Sequence, residues 1–193
     1  MKPYGNFKAR KSAGASMALP AGGYVGKIKT AKEVVYNWGS VLEIAFDVTE
    51  GEFTGFFQKQ FDSNTAEDKK WKGVCRIVVP KETDEAWQRG PFENLIFSIE
   101  ESNPGYHWDW NESGLKGKTC GFLFNNREWE MNGNTGWTTE CRNAATVDDI
   151  REGTFKIPKD RPLKNGTSNS RMTQPNVNAN DFSDVDDDGE VPF

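Results

Sequence analysis

A small all-β barrel carrying one helix is the fold class that the sequence predicts, and three observations predict it. VLEIAFDV, Val41 to Val48, alternates cleanly, with Leu42, Ile44, Phe46 and Val48 on one face and Glu43, Ala45 and Asp47 on the other. A half-buried strand has this period of two. Further short segments rich in β-branched and aromatic residues recur between turns that contain Gly and Asn. One segment has helical spacing instead: PFENLIFSIEES, Pro91 to Ser102, places Phe92, Leu95, Ile96 and Ile99 on one helix face.

Taken in order, GGYVGKIKTAKEVVYNWG reads as the first strand and closes on a turn at Asn37 to Gly39. VLEIAFDV is the second strand, EGEF supplies a turn, and TGFFQKQF reads as the third strand of a meander. Residues 62–73 are charged, a loop or a short helix, and CRIVVP is a short apolar run. Pro91 suits a first helical turn, and Asn103-Pro104-Gly105 stops the helix. KTCGFLFNNREWEM and TGWTTECRNAAT form a hairpin around Asn132-Gly133-Asn134. Phe46, Phe57, Phe61, Phe122 and Phe124 are the expected core aromatics. Five strands with one helix between the third and fourth is the plan of the OB-fold, a five-stranded Greek-key barrel. A distorted β-sandwich would give a similar pattern.

The ends differ from this body. The last 13 residues hold six of the 29 acids and no base, so the other 180 residues carry 24 bases against 23 acids. The first 32 residues contain Lys2, Lys8, Arg10, Lys11, Lys27, Lys29 and Lys32 and no acid. That asymmetry points to polyanion binding, or to a tail that mimics a polyanion. Residues 164–180 are rich in Asn, Ser, Thr and Gln, too polar to order themselves. The expected organisation is a basic flexible arm over 1–21, a barrel over 22–160, a disordered linker over 161–180 and an acidic tip over 181–193.

Several classes are disfavoured. There is no apolar stretch of membrane-spanning length and no signal region at the start. Cys75, Cys120 and Cys141 are odd in number and far apart, which argues against a disulfide framework or a zinc site and for the cytoplasm. His107 is the single histidine, and no P-loop, GxSxG or HExxH is present, so no catalytic residue, metal site or cofactor is expected. A metal-dependent nuclease built from carboxylates stays open as an alternative, as does a protein-interaction adaptor.

Single-strand binders need cations that track phosphates and flat rings on which bases stack. The chain has seven tryptophans, several among bases in expected loops. Tyr36 and Trp38 sit at the first turn, Trp71 lies among Lys69, Lys70 and Lys72, and Arg127, Trp129 and Trp137 flank the second hairpin. Lys27 and Lys29 share a face of the first strand, and Lys59 is expected beside them on the third. These residues are the candidate nucleic-acid interface, although tryptophan packed into a core is the commoner case. Trp108 and Trp110 alternate with acids in YHWDWNE, which would repel phosphate.

The chain ends DVDDDGEVPF. Asp184, Asp186, Asp188 and Gly189 match the opening of an EF-hand loop, but its twelfth position would fall beyond Phe193. An aspartate run closing on Val191, Pro192 and Phe193 closely resembles the acidic C-terminal tip of bacterial single-stranded-DNA-binding proteins. Gly189-Glu190 interrupts the commoner unbroken run. LPAGGYVGKIKTAKEV, AFDVTEGEFTGFF and LKGKTCGFLF are similar to segments of phage-encoded single-stranded-DNA-binding proteins. The resemblance implies a non-catalytic protein that coats single-stranded DNA in the (host) cytoplasm, with homo-oligomers common in that family. It also implies that Asp186, Asp187, Asp188, Val191, Pro192 and Phe193 recruit replication, recombination and repair proteins, with Phe193 as the anchor.

Overall fold

A computed structural model describes residues 18–163. Five strands, β1 (Gly22–Val35), β2 (Ser40–Val48), β3 (Val74–Val79), β4 (Thr119–Met131) and β5 (Asn134–Ala145), close into a barrel in the order β1-β2-β3-β5-β4. Neighbours are antiparallel except β3 and β5, which run parallel and meet at Cys75 and Cys141. Three helices accompany them: α1 (Phe56–Ser63), α2 (Ala86–Glu101) and α3 (Val147–Glu152). This is the five-stranded OB-type barrel that the strand pattern predicts.

The alternation of β2 works as read. Leu42, Ile44, Phe46 and Val48 are all buried, and Phe46 stacks on Phe122 of β4 with ring centroids 3.6 Å apart. Gly26 of β1 makes room for that stack, because a Cβ there would lie 2.8 Å from Phe46 and 2.9 Å from Phe122. Phe57 and Phe124 complete the aromatic core; Phe61 is only half-buried. The β4–β5 hairpin turns on Asn132 and Gly133, both at positive φ (53° and 76°), the geometry of the tight two-residue turn that Asn-Gly favours.

TGFFQKQF is helix, not strand. Phe56 and Phe57 are adjacent and both buried, whereas a strand would turn one of them to solvent. Gly55 starts the helix from the left-handed region at φ 70°. The free N–H groups of the first turn go to Asp47 of β2: Phe57 N–H donates to Oδ1 at 2.9 Å and Gln58 N–H to Oδ2 at 3.2 Å. The third strand is instead the apolar run VCRIVV, with Cys75 and Ile77 inward and Arg76 and Val78 exposed. Asp47→Ala is expected to cost about 1.5–3 kcal/mol by orphaning those donors, read by urea unfolding; an unchanged midpoint would remove Asp47 as the cap of α1.

The helix between the third and fourth strands is present as α2, but it starts ahead of Pro91. Glu85 N–H donates to Gln88 Oε1 at 2.9 Å, one half of a capping box that opens the helix earlier. Its face of Phe92, Leu95 and Ile99 is buried on the barrel. At the ends, two expectations shift. Leu19, assigned to the arm, is buried, and its carbonyl accepts from Thr139 Oγ1 at 2.5 Å. Arg161, assigned to the linker, pairs with β4: its N–H donates to Asn126 O and its carbonyl accepts from Glu128 N–H, both at 2.8 Å. The rest of the arm, the rest of the linker and the whole acidic tip with Asp186, Asp187, Asp188, Val191, Pro192 and Phe193 lie outside the described residues.

Candidate nucleic-acid interface

Register fixes which side chains share the barrel's outer face across β1, β2 and β3. Cross-strand partners stand side by side on one face of a sheet. Val34, Val41 and Val78 form one row, and Lys32, Glu43 and Arg76 the next. Within the second row Lys32 Nζ lies 3.2 Å from Glu43 Oε2 and Arg76 Nε 2.7 Å from Glu43 Oε1. Partial burial opposes the charge on Glu43, but the hydrogen bonds and charges of Arg76 and Lys32 outweigh it and hold the carboxyl below its ordinary value. The row therefore carries two cations against one anion.

The β1–β2 turn caps one end of this face. Tyr36 N–H donates to Gly39 O at 2.8 Å, and the rings of Tyr36 and Trp38 stack at 5.3 Å and 8°. Tyr36 is 41% exposed. The two rings line an open groove of about 380 Å³ with Glu33, Val79, Pro80 and Lys81. Lys81 Nζ reaches Trp38 O at 3.4 Å, so a cation stands at the mouth of the aromatic groove.

The β4–β5 hairpin stands toward the other end, since β5 runs parallel to β3 and the hairpin precedes their single meeting point. Trp129 faces Gly136 across the hairpin, and a Cβ at Gly136 would lie 2.7 Å from its ring. Glycine is what lets the indole lie flat on the strand. Arg127 shares this face and is paired with Glu140 at 3.6 Å. Trp137 is directly opposite Glu128 and so projects from the other side of the ribbon. The three hairpin residues expected together are thus split between two faces.

The Trp71 cluster also differs from expectation. Its indole Nε1 donates to Phe46 O and to Gly73 O, both at 3.1 Å, which pins the half-buried ring to β2. Lys29 Nζ sits over the ring at 4.2 Å from the centroid and bonds Gln58 Oε1 at 2.6 Å. Lys69 Nζ lies 4.5 Å from the centroid of Phe61, which leans on Trp71. Trp71 is a latch that organises lysines, not a bare platform. Lys27 and Lys70 are exposed. Lys59 is not on a strand with Lys27 and Lys29: it lies on α1, its Nζ bonded to Thr54 O at 2.8 Å.

Lys32, Arg76 and Lys81 were not singled out from sequence. Arg76 was signalled by the in-out alternation of CRIVV; Lys81 depends on the chain path beyond β3. Among the described residues no cluster of His, Cys, Asp and Glu is placed to hold a metal ion, and no helix is long and apolar enough to cross a membrane. The three cysteines do converge on the seam of the barrel, where burial first and the neighbouring Cys75 next push the Cys141 thiol well up. No protein-family model matches the chain, and comparison with curated proteins finds no significant similarity.

Proposed function

We propose that the protein binds single-stranded DNA without catalysis, coating and protecting exposed strands in replication and recombination. The acidic tip, in this reading, recruits partner proteins in the cytoplasm. The observation that carries it is the outer face of β1, β2 and β3, where a cationic row of Lys32 and Arg76 stands beside the Tyr36–Trp38 stack of the β1–β2 turn, with Trp129 on the β4–β5 hairpin beyond the opposite end of the strands. Phosphates follow the cations while bases stack on the rings, the combination by which OB-type barrels hold single strands of any sequence. No cofactor is needed for this.

Tryptophan fluorescence titrated with an unlabelled oligonucleotide tests it. Quenching by the single strand but not the duplex, weakening as salt rises, is the expected result. No change with either would remove nucleic acid as the ligand and leave a barrel that binds protein.

Glu43 sets a second test. Glu43→Gln leaves Lys32 and Arg76 without their shared anion, so affinity for the single strand should rise and the salt slope should steepen by roughly 0.7. The carboxyl's lowered value also fixes a pH dependence. A carboxylate favoured in the folded state adds stability that is present above the unfolded value near about 4.3 and is lost as pH falls through the folded one. Between neutral pH and that acid range, wild type should therefore lose more unfolding free energy than Glu43→Gln. Parallel curves would mean that the row contributes nothing.

A further inference from the structure

The two sides of the β1–β2 hairpin carry opposite charge. Lys32 faces outward, whereas the next residue, Glu33, is registered against core-facing Leu42 and opens into a small cleft at the end of the barrel. The cleft is lined by Glu33, Leu42, Val79, Phe92, Trp108, Trp110 and Glu112, two carboxylates and three aromatics with no base. Phe92 lies 6.0 Å from Trp110 at 18° and 6.4 Å from Trp108 at 73°, and the two indoles are 6.2 Å apart at 56°. Rings inclined in this way present more than one π-face to a common space.

Two further features single the cleft out. Trp110 is 72% exposed and held at φ 62°, a left-handed backbone that L side chains rarely adopt and that costs of order 1–3 kcal/mol. Core packing does not account for an exposed ring kept there at such a cost. Trp108, which lines the cleft, has its indole Nε1 buried with no hydrogen-bond partner among the described residues.

We infer that this cleft is a recognition site for an arginine or lysine side chain on a basic peptide segment of a partner protein. A cation over an indole face is attracted by the ring quadrupole, and Glu33 and Glu112 supply the countercharge. Phosphate is repelled here for the reason that it is attracted on the outer face. The barrel thus presents a basic surface for nucleic acid and, around the edge of the same hairpin, an acidic aromatic one for protein, and the second site does not depend on the first.

Nuclear magnetic resonance of the full chain, following the indole N–H signals during titration with acetyl-Gly-Arg-Gly-amide, tests the site. The expected result is saturable movement of the Trp108 and Trp110 signals, at least tenfold weaker binding in Trp110→Ala and in Glu33→Gln, and little response to the citrulline peptide, which keeps the shape and loses the charge. Glu33 also borders the Tyr36–Trp38 groove, so the control is Trp110→Ala: oligonucleotide binding should persist in it, which distinguishes failure of this site from failure of the single-strand reading. Equal response to the arginine and citrulline peptides, no response at millimolar peptide, or variants that bind as wild type would each overturn the assignment.

Discussion

Trp38→Ala is expected to weaken binding to an unstructured oligonucleotide roughly 5- to 150-fold, the loss of about 1–3 kcal/mol for one stacked base. Trp38 stacks on Tyr36 in the turn and belongs to no core cluster, so its removal should leave the melting temperature nearly unchanged. Trp71→Ala is the informative contrast. That ring donates to the carbonyls of Phe46 in β2 and of Gly73 just ahead of β3 and carries Lys29 on its face, so the substitution should cost stability as well as affinity. Fluorescence anisotropy beside thermal melts separates the two. Full affinity in the folded Trp38 variant would move the interface away from the β1–β2 turn.

The largest stability effect is expected inside the barrel. Phe122 is fully buried and stacks on Phe46, and its truncation to alanine should cost about 3–5 kcal/mol. For a domain of this size the melting temperature should fall by about 6–20 °C. Gly26 makes the prediction sharper. Gly26→Ala alone places a Cβ against both rings and should destabilise by overpacking, about 1–3 kcal/mol. With Phe122 truncated, that Cβ enters vacated space, so the double variant should be more stable than the sum of the single losses implies. Strict additivity across the four proteins would show that the glycine does not serve the stack.

The legible parts of the fold were those where local pattern and tertiary environment agree. β2 announced itself by strict alternation because one of its faces really is the core, and Asn132-Gly133 announced its hairpin because the turn's backbone demands those residues. α1 was hidden for a physical reason. Its cap is Asp47, a residue of another strand, and no window over TGFFQKQF contains it. The site divides in the same way. Tyr36 and Trp38 are neighbours in the chain, so their stack was within reach of sequence reading, whereas the Lys32–Glu43–Arg76 row joins three strands. Trp71 looked like a bare ring among lysines because its two carbonyl acceptors depend on how β2 and β3 pair. Trp137 lies near Arg127 and Trp129 in sequence, but strand register puts it on the opposite face.

The barrel closes where β3 meets β5 through one bridged pair, and Leu19 is held by Thr139, a residue 120 positions later. Timing follows from that topology. On a growing chain β1, β2 and β3 can pair as soon as they emerge, but their two outer edges have no partner until residues 119–145 have been made. Contacts of such long range close slowly. The nascent protein therefore passes through a period as an open three-stranded sheet, with Phe46 still lacking Phe122 and two unpaired edges available to neighbouring chains.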